Sequence, residues 1–216
     1  MTIQNPTRQR LLEQGLQICR QQGLRGLKVR ELAAAAGVNL GSFVYHFGNR
    51  EQFLDELVEL WYAPLYQALS QTTQAHDHDT PLQRLQAVLE QVIWLLEQNS
   101  AFVSQLLADS LAGEAAARRF ALKLPWRHPK LILQLIVDAQ RASELVQDDP
   151  RHLMLFIMMA LGMPMLLARG PLHDCGWLPD AAQPLIAKMA DPVSARQRLA
   201  WALQGLKPTI GNGVTS

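Results

Sequence analysis

The sequence predicts an all-α protein, with a small N-terminal three-helix head of the helix-turn-helix kind and then a larger helical body. Three observations carry that expectation. Apolar residues recur at steps of three and four along most of the chain, and no stretch alternates apolar with polar as a half-buried strand does. Three times a capping residue stands directly before a proline, at Thr80-Pro81, Asp149-Pro150 and Asp191-Pro192. That pair marks a helix start, because the first helical N–H has no intrahelical partner to lose. Charge is also divided. Residues 1–50 carry seven basic and two acidic side chains, a net +5, while residues 51–216 carry thirteen basic and seventeen acidic, a net −4.

Composition sets the limits. At 216 residues, 49% hydrophobic and 18% charged, the chain can bury a sizeable core in one or two domains. A total charge of +1 argues against a uniformly basic coat for nucleic acid and against an acidic disordered chain. Cys19 and Cys175 stand too far apart to suggest a disulfide framework or a Cys-rich metal site. The first ten residues are polar, unlike a secretory leader, so a cytoplasmic location is expected. The apolar run Leu153 to Ala168 falls short of the roughly 20 residues that span a bilayer. It also holds Gly162 and Pro164, so a buried core or interface helix is expected there rather than a membrane span.

The elements follow in order. Leu11, Leu12, Gly15, Leu16 and Cys19 mark one face of a helix from about Thr7 to Gln22, ended by Gly23. A short Ala-rich helix covers Leu27 to Ala36, and Gly37 punctuates it. Asn39 offers an N-cap for a second short helix through His46. Asn49, with Gln52 three residues on, reads as a capping box for a longer helix. Pro64 should kink or split that helix, since proline removes an interior hydrogen bond. Gln71 to Thr80 reads as a polar loop. The helix from Pro81 should run to about Gln98, with further helices at Ala101 to Leu111, Glu114 to Lys123 and Pro129 to Val146. Helices follow Asp149 and Asp191. Arg169 to Ala190 reads as irregular because it is dense in Gly and Pro.

Chemistry concentrates between Lys28 and Arg50. Two short helices joined at Gly37 match a helix-turn-helix, with Ala33 small enough for close helix approach and Val38 and Phe43 pointing into the core. The second helix then exposes small and polar residues, as a helix entering the major groove must. An ordinary helical hairpin with a glycine turn has the same spacing, and spacing alone leaves both readings open.

The stretch VRELAAAAGVNLGSFVYHFGNREQFLDELV is similar to the DNA-binding region of the tetracycline-repressor-like (TetR) family. The matching positions are Arg30-Glu31-Leu32-Ala33, Ala36-Gly37-Val38, Gly41-Ser42-Phe43, His46-Phe47 and Arg50-Glu51. Three positions depart from the family pattern. Lys28 replaces a capping Thr or Ser and can reach a phosphate as a point charge. Val44 stands where an aromatic residue often meets phosphate, which leaves Tyr45 beside it for that contact. Arg50 replaces a lysine and keeps its charge. The resemblance implies phosphate contacts from Lys28, Tyr45 and Arg50 and base-edge contacts from Asn39, Leu40, Gly41 and Ser42. It implies that His46 lies close to the DNA backbone; packing beside Phe47 is the other reading of that residue.

For the rest of the chain the resemblance implies a body that dimerises and senses. Residues 1–49 would form the helix-turn-helix domain and 50–216 the effector-binding and dimerisation domain. The homodimer would form through the last two long helices, at about residues 150–169 and 192–205. A helix as apolar as the first of these should be buried on all sides. A small-molecule effector, its identity unspecified, would release a repressor from a near-palindromic operator. Trp61, Tyr62, Trp94, Phe102, Leu106, Phe120 and Met158 are candidate pocket residues, though side chains of these kinds are more often core. Five of the seven methionines fall between Met154 and Met165, where they can pack adaptably.

No cofactor, metal or catalytic constellation is expected. His76-Asp77-His78-Asp79 reads as surface loop, His128, His152 and His173 lack metal spacing, and Cys175 has no basic neighbour. The alternative to a DNA-binding regulator is a helical ligand carrier or interaction protein that no longer reads DNA.

Overall fold

The computed structural model describes residues 5–75, 79–170, 172, 176 and 178–208. His76, Asp77, His78, His173 and Cys175 therefore lie outside the described residues. Among those described there are ten α-helices, no strand, and no cluster that could hold a metal ion. The helices gather into two compact units. One takes the chain up to Tyr66 together with Asn99–Pro125, and the other takes Gln67–Gln98 and the chain from Trp126 onward. The core of the first three helices continues into the following helix as far as Tyr62.

The first unit opens with α1 (Pro6–Gly26), capped by the Asn5 side chain. As expected, the helical path breaks at Gly23, whose φ of +73° is open to glycine at little cost. α2 (Val29–Ala35) and α3 (Leu40–Phe47) follow, then α4 (Arg50–Ala75). Leu11, Leu12, Leu24, Leu32, Phe43, Phe47, Phe53, Leu54 and Leu57 form the core where these helices meet. Gly15 lets α1 lie against α4, since a Cβ there would sit 2.4 Å from Phe53 Cζ.

Several boundaries differ from the sequence reading, each for a physical reason. α4 runs unbroken through Pro64. The carbonyl that proline leaves without its helical donor belongs to Leu60, which is exposed and open to water. α4 also continues to Ala75, with the hydroxyls of Thr72 and Thr73 donating to the carbonyls of Ala68 and Leu69. α5 (Pro81–Leu111) is a single helix of 31 residues. No Gly or Pro interrupts it, and the polar pair that suggested a break serves tertiary structure: Asn99 accepts from Trp61 Nε1 at 3.1 Å and Ser100 is buried. α6 (Ala115–Lys123) starts at a Glu114 cap.

In the second unit α7 (His128–Arg141) stops short of Val146. Ser143 adopts φ +57°, and the Glu144 N–H closes back on the Ala139 carbonyl, a left-handed helix stop. The buried Gln140 amide then holds the carbonyls of Val146 and Asp148, both at 2.9 Å. α8 (Pro150–Arg169) packs with α7, with α9 (Gln183–Ala190) and with α10 (Pro192–Gly205).

α9 falls in the stretch expected to be irregular, with Pro184 in its first turn. None of its residues is buried. Its last carbonyls are instead held by guanidiniums: Arg198 reaches Lys188 and Met189, and Arg169 reaches Ala190. Arg198 Nε also donates at 2.9 Å to the Ala160 carbonyl, the one Pro164 leaves without its helical donor. α8 is not buried on all sides in a single chain. Leu153, Ile157, Leu161 and Met165 form the inward stripe, while Leu155, Phe156 and Met159 stand exposed, as do Val193 and Trp201 of α10. Among the described residues, α8 alone is long and apolar enough to cross a membrane by length and composition.

Candidate nucleic-acid interface

The α2–turn–α3 segment is built by local rules. Lys28 precedes α2 without capping it, and its ammonium pairs with Glu31 at 2.9 Å on the surface. Ala33 is buried where the helices meet. Gly37 takes φ +65°, and the Gly37 and Val38 amides return to the carbonyls of Ala34 and Ala33. Asn39 then caps α3 as expected, its Oδ1 accepting from the Ser42 amide at 2.8 Å and from the Ser42 hydroxyl at 3.1 Å. Phe43 and Phe47 face the core and meet Phe53, with ring centroids 5.4 and 4.8 Å away.

The opposite face of α3 is bare. Tyr45 is 83% exposed, Val44 53% and Leu40 45%, with Asn39 and Gly41 exposed beside them and Ser42 partly so. The His46 ring is half-buried, edge-on to Tyr45 at 5.0 Å and to Phe47 at 6.3 Å. Arg10, Arg20, Arg25, Lys28 and Arg30 are exposed on the same head. Arg8 is tied down, paired with Glu56 and lying 5.3 Å over the Phe47 ring.

Arg50, for which a phosphate contact is expected, makes three hydrogen bonds within the protein. Its Nε donates to the Leu27 carbonyl at 3.0 Å, and its Nη2 donates to the Leu24 carbonyl at 2.6 Å and to Glu114 Oε2 at 3.1 Å. Nε and Nη2 are thus engaged within the protein, while the side chain stays 31% exposed. Asp109, 2% exposed, accepts from the Leu24 amide at 2.6 Å. Neither acid is visible as a head residue in the sequence, because 64 and 85 positions separate them from their partners. Cys19 lies buried close by. Burial pushes its thiol up to about 12, with the Arg50 charge pulling the other way and Asp109 and Glu114 adding to the rise.

Of the seven candidate pocket residues, the first unit brings together Trp61, Tyr62, Phe102, Leu106 and Phe120. They pack on one another, with Trp61–Phe102 and Tyr62–Phe120 ring centroids 4.7 and 5.2 Å apart. Trp94, nearly half exposed, and Met158 belong to the second unit.

Comparison with known proteins gives the same direction. Residues 11–57 match the model of bacterial regulatory proteins of the tetR family. The repressor DhaR of Mycobacterium sp. (strain GP1) is 25% identical over 143 residues, 66% of this chain and 72% of that protein. The repressor NemR of Escherichia coli (strain K12) is 36% identical over 72 residues, about a third of each chain (33% and 36%). The solved structure of the fatty acid degradation regulator FadR from Bacillus halodurans superposes with a TM-score of 0.70 at 15% identity. It covers 95% of this chain and 99% of that one, and it shows a shared fold. In its head, at residues 11–57, this chain is thus similar to the bacterial regulatory proteins of the tetR family.

Proposed function

We propose that the protein is a transcriptional repressor that binds a near-palindromic DNA operator as a homodimer in the cytoplasm and is released by a small-molecule effector. The observation that carries this reading is α3: capped by its own Asn39, packed through Phe43 and Phe47, and bare on the face of Leu40, Val44 and Tyr45. Residues 1–49 act as the reading head and residues 50–216 as the sensing and dimerising body. Lys28 and Tyr45 contact phosphate, His46 lies near the backbone, and Asn39, Leu40, Gly41 and Ser42 meet base edges. The exposed apolar side chains of α8 and α10 support a second copy there, which sets two heads against half-sites about 34 Å apart or a multiple of that. The aromatic cluster around Trp61 and Phe120 supports an apolar effector. The effector acts only through its preference for the conformer that does not bind DNA.

The test is selection of duplex DNA from a random-sequence library, followed by titration of the selected duplex at several salt concentrations. Affinity should fall with salt by a log–log slope of about −0.9 for each phosphate contact. Failure to select any duplex would leave the ligand-carrier reading.

A further inference from the structure

Arg50 sits in a polar clasp that closes on the α1–α2 junction. The junction turns at Gly23, where a Cβ would lie 2.5 Å from Gln105 Nε2 and 2.7 Å from Asp109 Oδ2, so α5 side chains press directly on the backbone. The next residue, Leu24, is gripped at both ends, its amide by Asp109 and its carbonyl by Arg50. Arg50 also holds the carbonyl of Leu27, two residues before α2 begins. Glu114 joins the two sides. One of its oxygens meets Arg50, and the other accepts from the Ala116 amide at the start of α6.

Both acids are nearly withdrawn from water, at 2% exposure for Asp109 and 9% for the Glu114 side chain. Polar bonds in such a place are directional, and breaking one leaves a buried group unsatisfied. Apolar contacts alone would let α2 and α3 slide against α5 and α6. These bonds hold one geometry.

We infer that Arg50, together with Asp109 and Glu114, is a positioning group for DNA reading: it fixes the angle at which α2 and α3 are presented and does not itself touch the duplex. The inference rests on the reading of the chain as a DNA-binding regulator. It also gives the α5–α6 corner a direct mechanical link to the reading pair, through the acid at each side of that corner.

Charge alone and positioning predict opposite signs. Removing a carboxylate from the head makes its field more positive, which by charge should tighten DNA binding. Positioning requires it to weaken. The experiment measures the affinity and salt slope of Glu114→Gln, Asp109→Asn, Arg50→Lys and Arg50→Ala on the duplex that the wild type selects. Thermal melting confirms the fold of each variant, and amide exchange is followed at Leu24.

Glu114→Gln should bind about tenfold more weakly with an unchanged salt slope, and Asp109→Asn should do the same with faster exchange at Leu24. Arg50→Lys keeps the charge but loses the fork, and should weaken binding to a similar degree. Arg50→Ala combined with Glu114→Gln should be no worse than the weaker single variant. The proposal is overturned if Glu114→Gln and Asp109→Asn bind as tightly as the wild type or tighter. It is also overturned if Arg50→Ala lowers the slope by about 0.9 while Arg50→Lys binds normally, because Arg50 then contacts a phosphate. A wild type that selects no duplex removes the DNA-reading function itself, and this proposal with it.

Discussion

The same substitution, glycine to alanine, should have opposite signs at two helix-interior positions of this chain. In a helix the change gains about 0.5–1 kcal/mol, because alanine has less backbone freedom to lose on folding. At Gly162 in α8 nothing within the same chain opposes that gain. A Cβ there would meet Leu96 Cδ1 at 3.5 Å, an ordinary contact. At Gly15 the new Cβ would lie 2.4 Å from Phe53 Cζ and 2.9 Å from Cε1. Carbon atoms pack at about 3.5–4.0 Å, so the ring must retreat by about 1 Å. It has nowhere to go, since Phe53 is fully buried and already in contact with Phe43 and Phe47. Overpacking of that kind costs about 1–3 kcal/mol, leaving a net loss of up to about 2.5 kcal/mol after the helix gain.

At about 2–4 °C per kcal/mol for a chain of this size, Gly15→Ala should melt lower by up to about 10 °C and Gly162→Ala roughly 1–4 °C higher. Urea unfolding, with midpoint and slope fitted separately, measures both shifts. Phe53→Leu should remove most of the cost at Gly15. If Gly15→Ala stabilises the protein as Gly162→Ala does, the account of the α1–α4 contact is wrong.

Three further outcomes follow from the structure. Arg198→Ala leaves the Ala160 carbonyl without its donor and loosens the end of α9. It should cost about 1–3 kcal/mol in urea unfolding and speed amide exchange within residues 183–190, and unchanged exchange there would refute the tie. Ser143→Gly relieves a left-handed serine and should raise stability by up to about 1 kcal/mol, measurable as a higher melting temperature. The Cys19 thiol, raised from 9.0 to about 12 by burial, stays protonated in the native state while the unfolded chain releases its proton. Its contribution is whole below pH 9 and is lost as pH rises towards 12, so Cys19→Ala should lose less stability than the wild type between pH 8 and 10.

The reading head was legible because its signals are local. Asn39 stands three residues before the amide it caps, Gly37 occupies the one turn position with a positive φ, and Ala33 lies four residues before it. The clasp was not legible. Nothing near Arg50 in the sequence announces that its partners lie at Glu114 and at two backbone carbonyls, so the family resemblance and the kept charge suggested phosphate. The missed helix boundaries have the same origin. Asn99 and Ser100 have the composition of a helix end, yet Trp61 and burial hold them inside α5. Pro184 and the glycines before it suggested disorder of the helical pattern, but arginines from α8 and α10 secure the end of α9. Local propensity is a weak prior that tertiary partners override.

The cap that starts α3 also restricts the chemical vocabulary of the reading face. A two-point grip on adenine asks one amide to donate and accept at once. Both lone pairs of Asn39 Oδ1 are already occupied, one by the Ser42 amide and one by its hydroxyl. While α3 remains capped, Asn39 could meet a base edge as a donor only, suited to the N7 and O6 of guanine or the O4 of thymine. The Ser42 proton points inward for the same reason, which leaves its oxygen to accept, as from the N4 amine of cytosine. Leu40 and Val44 add methyl groups suited to the thymine C5 methyl. One short intrahelical arrangement thus removes adenine's two-point contact from Asn39's repertoire before any operator is met.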